Sequence, residues 1–355
     1  MNHVVGNGVD RKSTFWKRLV RSLAILYLIT LVAIWTVIHF HSRSWWPVTL
    51  FLFSPRWTIA VPLLVLVPLT LATQFRLTAM YALHGILIAF CILGYRVSWE
   101  RQEESHEQQV LKVLTCNLGG GAISTDQLAD LVASRNVHVL MLQECDSSVS
   151  KPLFQQLGWV RRQEANIAIG SSFELGELRV LATQKQSQYK AVAAISCEIY
   201  IPTEPPAFMT EVSASPGSRT VQMVNVHFPT FRGAFSKALR LERDAAIEFG
   251  SIGSQYTDAV EQVRQQIHKI DAPVVIAGDF NVPVESVYYR NYWCEYQNAF
   301  SQVGTGFGHT KYTRFHGVRI DHVLADSSWN VASATVAAGF GGDHRPVLVE
   351  LSLNP

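Results

Sequence analysis

Three uninterrupted apolar runs near the start of this chain limit what it can fold into more than any other feature. Ser22–Phe40, Trp57–Phe75 and Leu77–Tyr95 are each 19 residues long and contain no Asp, Glu, Lys or Arg. As α-helix, that length covers the hydrocarbon core of a bilayer, about 30 Å. A buried helical hairpin of a soluble domain is the bland alternative, and it fits poorly. Three such runs in succession are rare outside membranes, and Pro62 and Pro68 are tolerated better in a membrane span than in a soluble helix. Nor does the first run show the short apolar core and A-x-A site of a cleaved signal peptide. Residues 1–105 are therefore expected to form a membrane region, with helices at 22–40, 57–75 and 77–95 and a linker.

The connections carry their own signals. Trp45-Trp46-Pro47 and Val48–Pro55 suit an interfacial or re-entrant piece, with the tryptophans at headgroup level. The second and third runs are joined only by Arg76. Arg11, Lys12, Lys17, Arg18 and Arg21 precede the first run, while Arg43 and Arg56 lie in the next loop. That cluster favours a cytoplasmic N-terminus, and three spans then put the C-terminal domain, residues 106–355, on the extracytoplasmic side. Glu100–Gln109 is polar and unpatterned and is expected to be a linker or stalk.

Charge divides along the same boundary. Residues 1–105 hold ten Lys or Arg and four Asp or Glu, a net +6. That leaves 20 of the 30 basic and 24 of the 28 acidic residues, net −4, to the remainder. A slightly acidic domain exerts no general pull on polyanions. The five cysteines, Cys91, Cys116, Cys145, Cys197 and Cys294, show neither CxxC nor zinc spacing and are expected to be buried free thiols.

After the linker, strand-like and helical segments alternate. Apolar runs recur at Val113–Asn117, Val137–Leu142, Ile167–Ile169, Val192–Ile201, Val221–Val226, Val274–Ala277, Ile320–Leu324 and Val347–Leu353. Ser124 and Gln127 form a capping box ahead of Leu128, Leu131 and Val132 at helical spacing. Ala234–Ile270 has helical composition, and Pro202–Arg219 is a Pro/Ser-rich loop. Strands outnumber helices, which favours an α/β sandwich over a doubly wound parallel sheet.

Polar residues stand where these strands run out. Asn117 follows KVLTC, Glu144 follows VLMLQ, His227 follows VQMVNV, and Asp279 and Asn281 follow VVIAG. Asp321 and His322 lie in RIDHVLAD, and Asp343 and His344 in GGDHRP just before the last run. One Gly-Asp after a strand is usually only a turn. Six such events, all drawn from Asn, Asp, Glu and His, are hard to assign to turns. Residues two apart on an extended segment point the same way, so Asp279 and Asn281 can share a target while Phe280 faces the core. A carboxylate such as Glu144 suits Mg²⁺, a hard cation that prefers oxygen. A neighbouring Asp and His can orient and deprotonate water.

TCNL, LQE, VNVHF, GDFN, RIDHV and GDHRP, in this order, resemble the endonuclease/exonuclease/phosphatase (DNase I-like) superfamily over roughly residues 111–353. The resemblance implies a four-layered α-β-β-α sandwich and metal-dependent hydrolysis of phosphoric esters with Mg²⁺ or Mn²⁺. It implies Glu144, with Asn117 beside it, as metal ligands and Asp343 at a second metal position. It assigns His227 to a phosphate oxygen or the leaving group, Asp279 to the attacking water, Asn281 to the phosphate and His344 to phosphate polarisation, with Asp321 orienting His344. His322 is read as structural. Two departures bear on the substrate. Cys116 stands where the family often has an aromatic residue, and NIAIGSSF at Asn166–Phe173 lacks the Arg that usually follows the Ser.

Two functions compete on these grounds. One is a phosphoesterase acting on a lipid-linked phosphate or pyrophosphate beside the bilayer. The plan of three spans and a catalytic domain resembles bacterial membrane members of the superfamily linked to glycopeptide resistance. The other is a membrane-tethered nuclease, against which the acidic balance and the tether argue. A non-catalytic domain that keeps the fold fits poorly with a complete set of polar residues, and no protein partner is predicted. Tyr288, Tyr289, Tyr292, Trp293 and Tyr296 suit either a lipid-facing or base-stacking surface or packing of an irregular loop.

Overall fold

A computed structural model of the chain describes residues 6–40, 45–98, 109–119, 123–186, 189–202 and 217–354. Most of the expected linker and most of the Pro/Ser-rich loop lie outside the described residues. The chain divides into two compact units, Met1–Tyr95 with Glu285–Val287, and Arg96–Val284 with Tyr288–Pro355.

In the first unit, α1 (Gly6–Phe40) is followed by α2 (Trp46–Leu52), α3 (Leu63–Thr73) and α4 (Thr78–Ile86). Thr14–Phe40, Arg56–Thr73 and Phe75–Ile92 are long and apolar enough to cross a membrane. The piece around Trp45-Trp46-Pro47 is the short helix α2, with Pro47 in its first turn, where a missing N–H costs nothing. The second apolar run is broken: a 3₁₀ segment, Arg56–Ala60, precedes α3, which starts after Pro62. Arg76 sits in a 3₁₀ turn, Phe75–Leu77. Tyr27, Leu31, Leu66, Tyr81 and Ile92 pack inward, while Leu26, Ile29, Leu64 and Val65 stay exposed.

In the second unit, alternation along β1 (Val110–Asn117) decides the layering. Leu111 and Val113 enter one core; Leu114 and Cys116 enter another. The parallel neighbour β2 (Val139–Gln143) repeats the rule, with Val139 and Met141 against Leu140 and Leu142. A strand whose two faces are both apolar must be covered on both sides. Helices α5 (Thr125–Ser134) and α6 (Ser147–Leu157) cover one face through Leu128, Val132, Leu153 and Phe154. A second sheet covers the other through Ile195, Ile199 and Met223.

The remaining strands are β3 (Val160–Glu164), β4 (Ile167–Ser171), β5 (Glu174–Leu175), β6 (Arg179–Gln186), β7 (Tyr189–Pro202), β8 (Ser218–His227), β9 (Val274–Asp279), β10 (Gln297–Asn298), β11 (Lys311–Tyr312), β12 (Gly317–Val318), β13 (Asp321–Ala325), β14 (Trp329–Val336) and β15 (Val347–Leu353). Among the described residues, one sheet runs β14-β15-β1-β2-β4-β3 and the other β10-β13-β9-β8-β7-β5, with β6 on β7. β11 and β12 form a separate hairpin. The helical stretch expected at Ala234–Ile270 is two helices, α7 (Arg232–Leu239) and α8 (Ala245–Ile267). They are separated where Leu241 takes a positive φ of 57°. Helices α9 (Val287–Trp293) and α10 (Ala299–Val303) complete the set.

Ser124 caps α5 as the capping box requires, accepting from the Gln127 N–H at 3.4 Å. Strands β3, β6 and β14 carry no clear apolar run. β3 is an edge strand with no buried position, and a bulge between Val331 and Ser333 breaks the alternation of β14. The clustered aromatics divide, with Tyr292 and Tyr296 partly exposed and the other three inside. Tyr288, Tyr289 and Trp293 are buried. Trp293 packs on Phe280 and Phe228, and Tyr288 on Phe231 and Tyr256. All five cysteines are free; Cys116, Cys145 and Cys197 are buried, but Cys294 is exposed.

Candidate active site

The two sheets bring their strand ends to one place. In the first sheet Asn117 is the register partner of Gln143, so Glu144 follows directly beside it. In the second, His227 pairs with Asp279 across the parallel β8–β9 ladder, and Asp321 pairs with Asp279 across the antiparallel β9–β13 ladder. Gly278 permits that approach. Its φ is +139°, and a Cβ there would lie 2.1 Å from the Val226 carbonyl oxygen, so a side chain is excluded. Glu144 and Asn281 turn the chain just past their strands with φ of 49° and 52°, a left-handed conformation uncommon outside glycine.

Asn117 joins the sheets at this point. Its amide nitrogen donates to Glu144 Oε1 at 3.1 Å and to Asp279 Oδ2 at 3.0 Å, while its oxygen accepts from Gly119 N at 2.8 Å. The amide therefore presents its NH₂ to the two carboxylates. His227 Nε2 lies 3.6 Å from Glu144 Oε1 and 4.0 Å from Asp279 Oδ2. His344 Nε2 lies 3.8 Å from Asp279 Oδ2, and His344 Nδ1 reaches Asp321 Oδ2 at 3.0 Å. The Asn281 backbone N–H donates to Asp279 Oδ1 at 2.9 Å, and its side-chain amide to Phe228 O at 2.9 Å. Asn117, Asp279, Asn281, Asp321 and His344 are buried, whereas the Glu144 side chain is 39% exposed.

Burial, reinforced by the neighbouring Asp321, pushes the Asp279 carboxyl above its usual range. Burial opposes ionisation of Asp321 too, but His344 outweighs it and holds Asp321 low. Burial opposes charge on His344, and Asp321 overcomes this to raise the imidazole to about 9. Lys311 pulls the other way. Its Nζ lies 2.8 Å from His344 Nε2, and an ammonium at that distance needs a lone pair on the ring nitrogen. The imidazolium favoured by Asp321 and the contact with a charged Lys311 are mutually exclusive.

Asp343, expected at a second metal position, meets two cationic side chains. Its Oδ2 accepts from Lys311 Nζ at 2.7 Å and faces Arg232 at 3.4 Å, so two side-chain cations already share that oxygen at the rim. His322 is buried, with Nε2 3.0 Å from Val282 O. Ligand atoms of Asp279, Asp321 and His344 lie within 4.8 Å of one another, a group that could hold a metal ion.

Sequence reasoning missed four residues. Gln143 Nε2 donates to Asn225 Oδ1 at 2.6 Å and Thr115 Oγ1 at 3.1 Å. Asn225 donates in turn to Leu142 O at 3.1 Å and Ala168 O at 2.8 Å. This buried relay ties the sheets together directly beneath the site. Both residues lie inside the LQE and VNVHF segments, and a polar side chain in an otherwise apolar strand was the available signal. Lys311 and Arg232 had no such signal.

A profile of the Endonuclease/Exonuclease/phosphatase family matches residues 114–344. A comparison with curated proteins finds no match. Among solved structures, a 3′ phosphatase from Neisseria bound to product DNA hairpin is similar at a TM-score of 0.50 and 16% identity, over 69% of this chain and 100% of that one. An endonuclease/exonuclease/phosphatase from Beutenbergia cavernae gives 0.49 and 15%, over 70% and 72%. A family protein from Bacteroides thetaiotaomicron gives 0.48 and 14%, over 70% and 100%. At such identities the likeness is one of fold.

Proposed function

The chain belongs to the endonuclease/exonuclease/phosphatase family, and from that premise we propose that it is a Mg²⁺-dependent phosphoesterase acting on a lipid-linked phosphate or pyrophosphate. The observation that carries this reading is the meeting of Glu144, His227, Asp279 and His344 around one space, within 4.0 Å from neighbour to neighbour. The three apolar helices motivate a substrate held at the bilayer.

The donor set fits a hard divalent cation. Glu144 offers a half-exposed carboxylate in a pocket rich in oxygen and poor in sulfur, which suits Mg²⁺ with part of its water shell, and Mn²⁺ as a substitute. The Asp279–Asp321–His344 group fits a cation less well, because His344 Nδ1 already bonds Asp321. A cation at Glu144 would supply Lewis-acid polarisation of a phosphoryl oxygen.

The chain's own residues do the rest. Asn117 aims Glu144 and Asp279 at the same space. Asp279, raised by burial and by Asp321, takes the proton of the attacking water. Asp321 orients His344, whose Nε2 faces the developing phosphoryl charge together with His227 Nε2. Asn281 keeps Asp279 aligned through its backbone N–H and stands beside the phosphate. Asp343 anchors cations at the rim.

Phosphate release by the full chain in detergent tests this, with polyprenyl pyrophosphate, phospholipid and plasmid DNA as substrates. Mg²⁺-dependent release from a lipid substrate, lost in Glu144→Gln and Asp279→Asn, is expected. Nicking of plasmid with no action on lipid phosphates would establish the nuclease instead.

A further inference from the structure

Lys311 is held beside His344 by the backbone hydrogen bonds of its own hairpin. Its hairpin, β11–β12, is woven into the loop that carries His344. The Tyr312 N–H donates to Asp343 O at 2.7 Å, and the Arg345 N–H to Thr310 O at 2.7 Å. The Thr310 hydroxyl accepts from the backbone N–H groups of Ile320 and Asp321 at 3.1 and 3.0 Å. The Arg345 guanidinium lies 3.8 Å over the Tyr312 ring. The strand that bears Lys311 is thus fixed on both sides to the segments that bear Asp321 and His344.

The outcome is a cation with a set position. Lys311 Nζ stands 2.8 Å from His344 Nε2 and 2.7 Å from Asp343 Oδ2, with 21% of its side chain exposed. Arg232 joins it through the same Asp343 oxygen at 3.4 Å. His344 Nε2 also faces Asp279, at 3.8 Å. Lys311 and His344 therefore stand side by side: a phosphate oxygen that replaces His344 Nε2 as the acceptor for Lys311 Nζ lets the imidazole carry its second proton, so that both groups donate to the same anion.

The charge balance points the same way. Glu144, Asp279 and Asp321 meet in this pocket, and together they repel anions. A phosphodiester has one charge and two unesterified oxygens. A phosphomonoester, or the terminal phosphate of a pyrophosphate, has three unesterified oxygens and close to two charges at neutral pH, its second ionisation lying near 6. The more highly charged group gains more from a resident ammonium, and it has an oxygen to spare for it.

Building on the hydrolase reading above, we propose that Lys311 is a substrate-binding residue that selects terminal phosphate groups, monoester or pyrophosphate, over phosphodiesters. Asp343 holds the ammonium in place before substrate arrives, and Arg232 supplies a second cation at the rim.

The test uses the full chain in detergent with Mg²⁺, comparing 4-nitrophenyl phosphate with bis(4-nitrophenyl) phosphate in wild type and Lys311→Met. A charge-assisted hydrogen bond lost from one substrate class predicts that the monoester-to-diester ratio of kcat/KM falls about 10–100-fold. Calorimetric binding of inorganic phosphate should weaken at least about tenfold. A ratio unchanged in Lys311→Met overturns the selection of terminal phosphates and leaves the hydrolase standing. A wild type that cleaves neither ester nor polyprenyl pyrophosphate, phospholipid or plasmid DNA, yet binds phosphate in a Lys311-dependent way, overturns the hydrolase and leaves the anion site standing. Phosphate bound equally by both forms overturns Lys311 as a phosphate ligand.

Discussion

Asp321 and Asp279 face each other as register partners across β9 and β13, yet only Asp321 reaches Nδ1 of His344, at 3.0 Å. Asp279 is left 3.8 Å from the opposite ring nitrogen. Two adjacent buried carboxylates thus take opposite characters: the one bonded to the imidazole is held low, and the other is pushed up. Environments that drive paired groups apart mark acid–base roles.

Asp321→Asn should expose this division. The amide keeps the shape but removes the charge that orients the His344 ring and favours its protonation. Turnover should fall about 10²–10⁴-fold, the range of general acid–base contributions, with circular dichroism unchanged. A kcat equal to that of wild type would remove Asp321 from the mechanism.

Asn117 contacts Glu144 and Asp279 with one nitrogen. If it positions the ligand, Asn117→Ala should raise the Mg²⁺ concentration for half-maximal activity about 10–100-fold, as loss of outer-shell partners does. A lowered melting temperature with an unaltered Mg²⁺ requirement would reduce Asn117 to a structural link.

The relay beneath the site predicts a stability effect. Asn225→Ala takes one buried partner from each of the Gln143 amide, the Leu142 carbonyl and the Ala168 carbonyl, while Gln143 keeps Thr115 Oγ1. Each lost hydrogen bond costs about 0.5–1.5 kcal/mol, and roughly 2–4 °C of melting temperature is lost per kcal/mol in a domain of this size. Melting within a degree of wild type would show that the sheets do not depend on this pair.

The Asp321–His344 pair also sets a pH window. His344 is raised to about 9 against about 6.5 in an unfolded chain. Its contribution is complete below about pH 6.5 and is lost as pH climbs through 9. Asp321 is lowered, so its contribution is complete above about pH 4 and is lost only in more acid solution. The melting-temperature gap between wild type and His344→Gln should therefore narrow from pH 6.5 to 9. A gap that stays constant over that interval would contradict the pairing.

The amino-acid order alone determined the three apolar helices, the layered α/β domain and the polar positions at the strand ends. These follow from local rules. Span length, apolar alternation and the capping of α5 by Ser124 are set by neighbours a few positions apart. Edge strands such as β3 escaped because exposure removes the apolar signal. The tertiary structure decided what those strand ends touch. It gave Asp343 to Lys311 and Arg232, buried Tyr288 and Tyr289, and joined Gln143 to Asn225 across 82 positions of chain. A lysine on a two-residue strand looks like any solvated cation until the fold closes. Its meaning comes from the hydrogen bonds that carry Tyr312 and Arg345 onto a neighbouring segment, and no periodicity encodes a contact made at a distance in sequence.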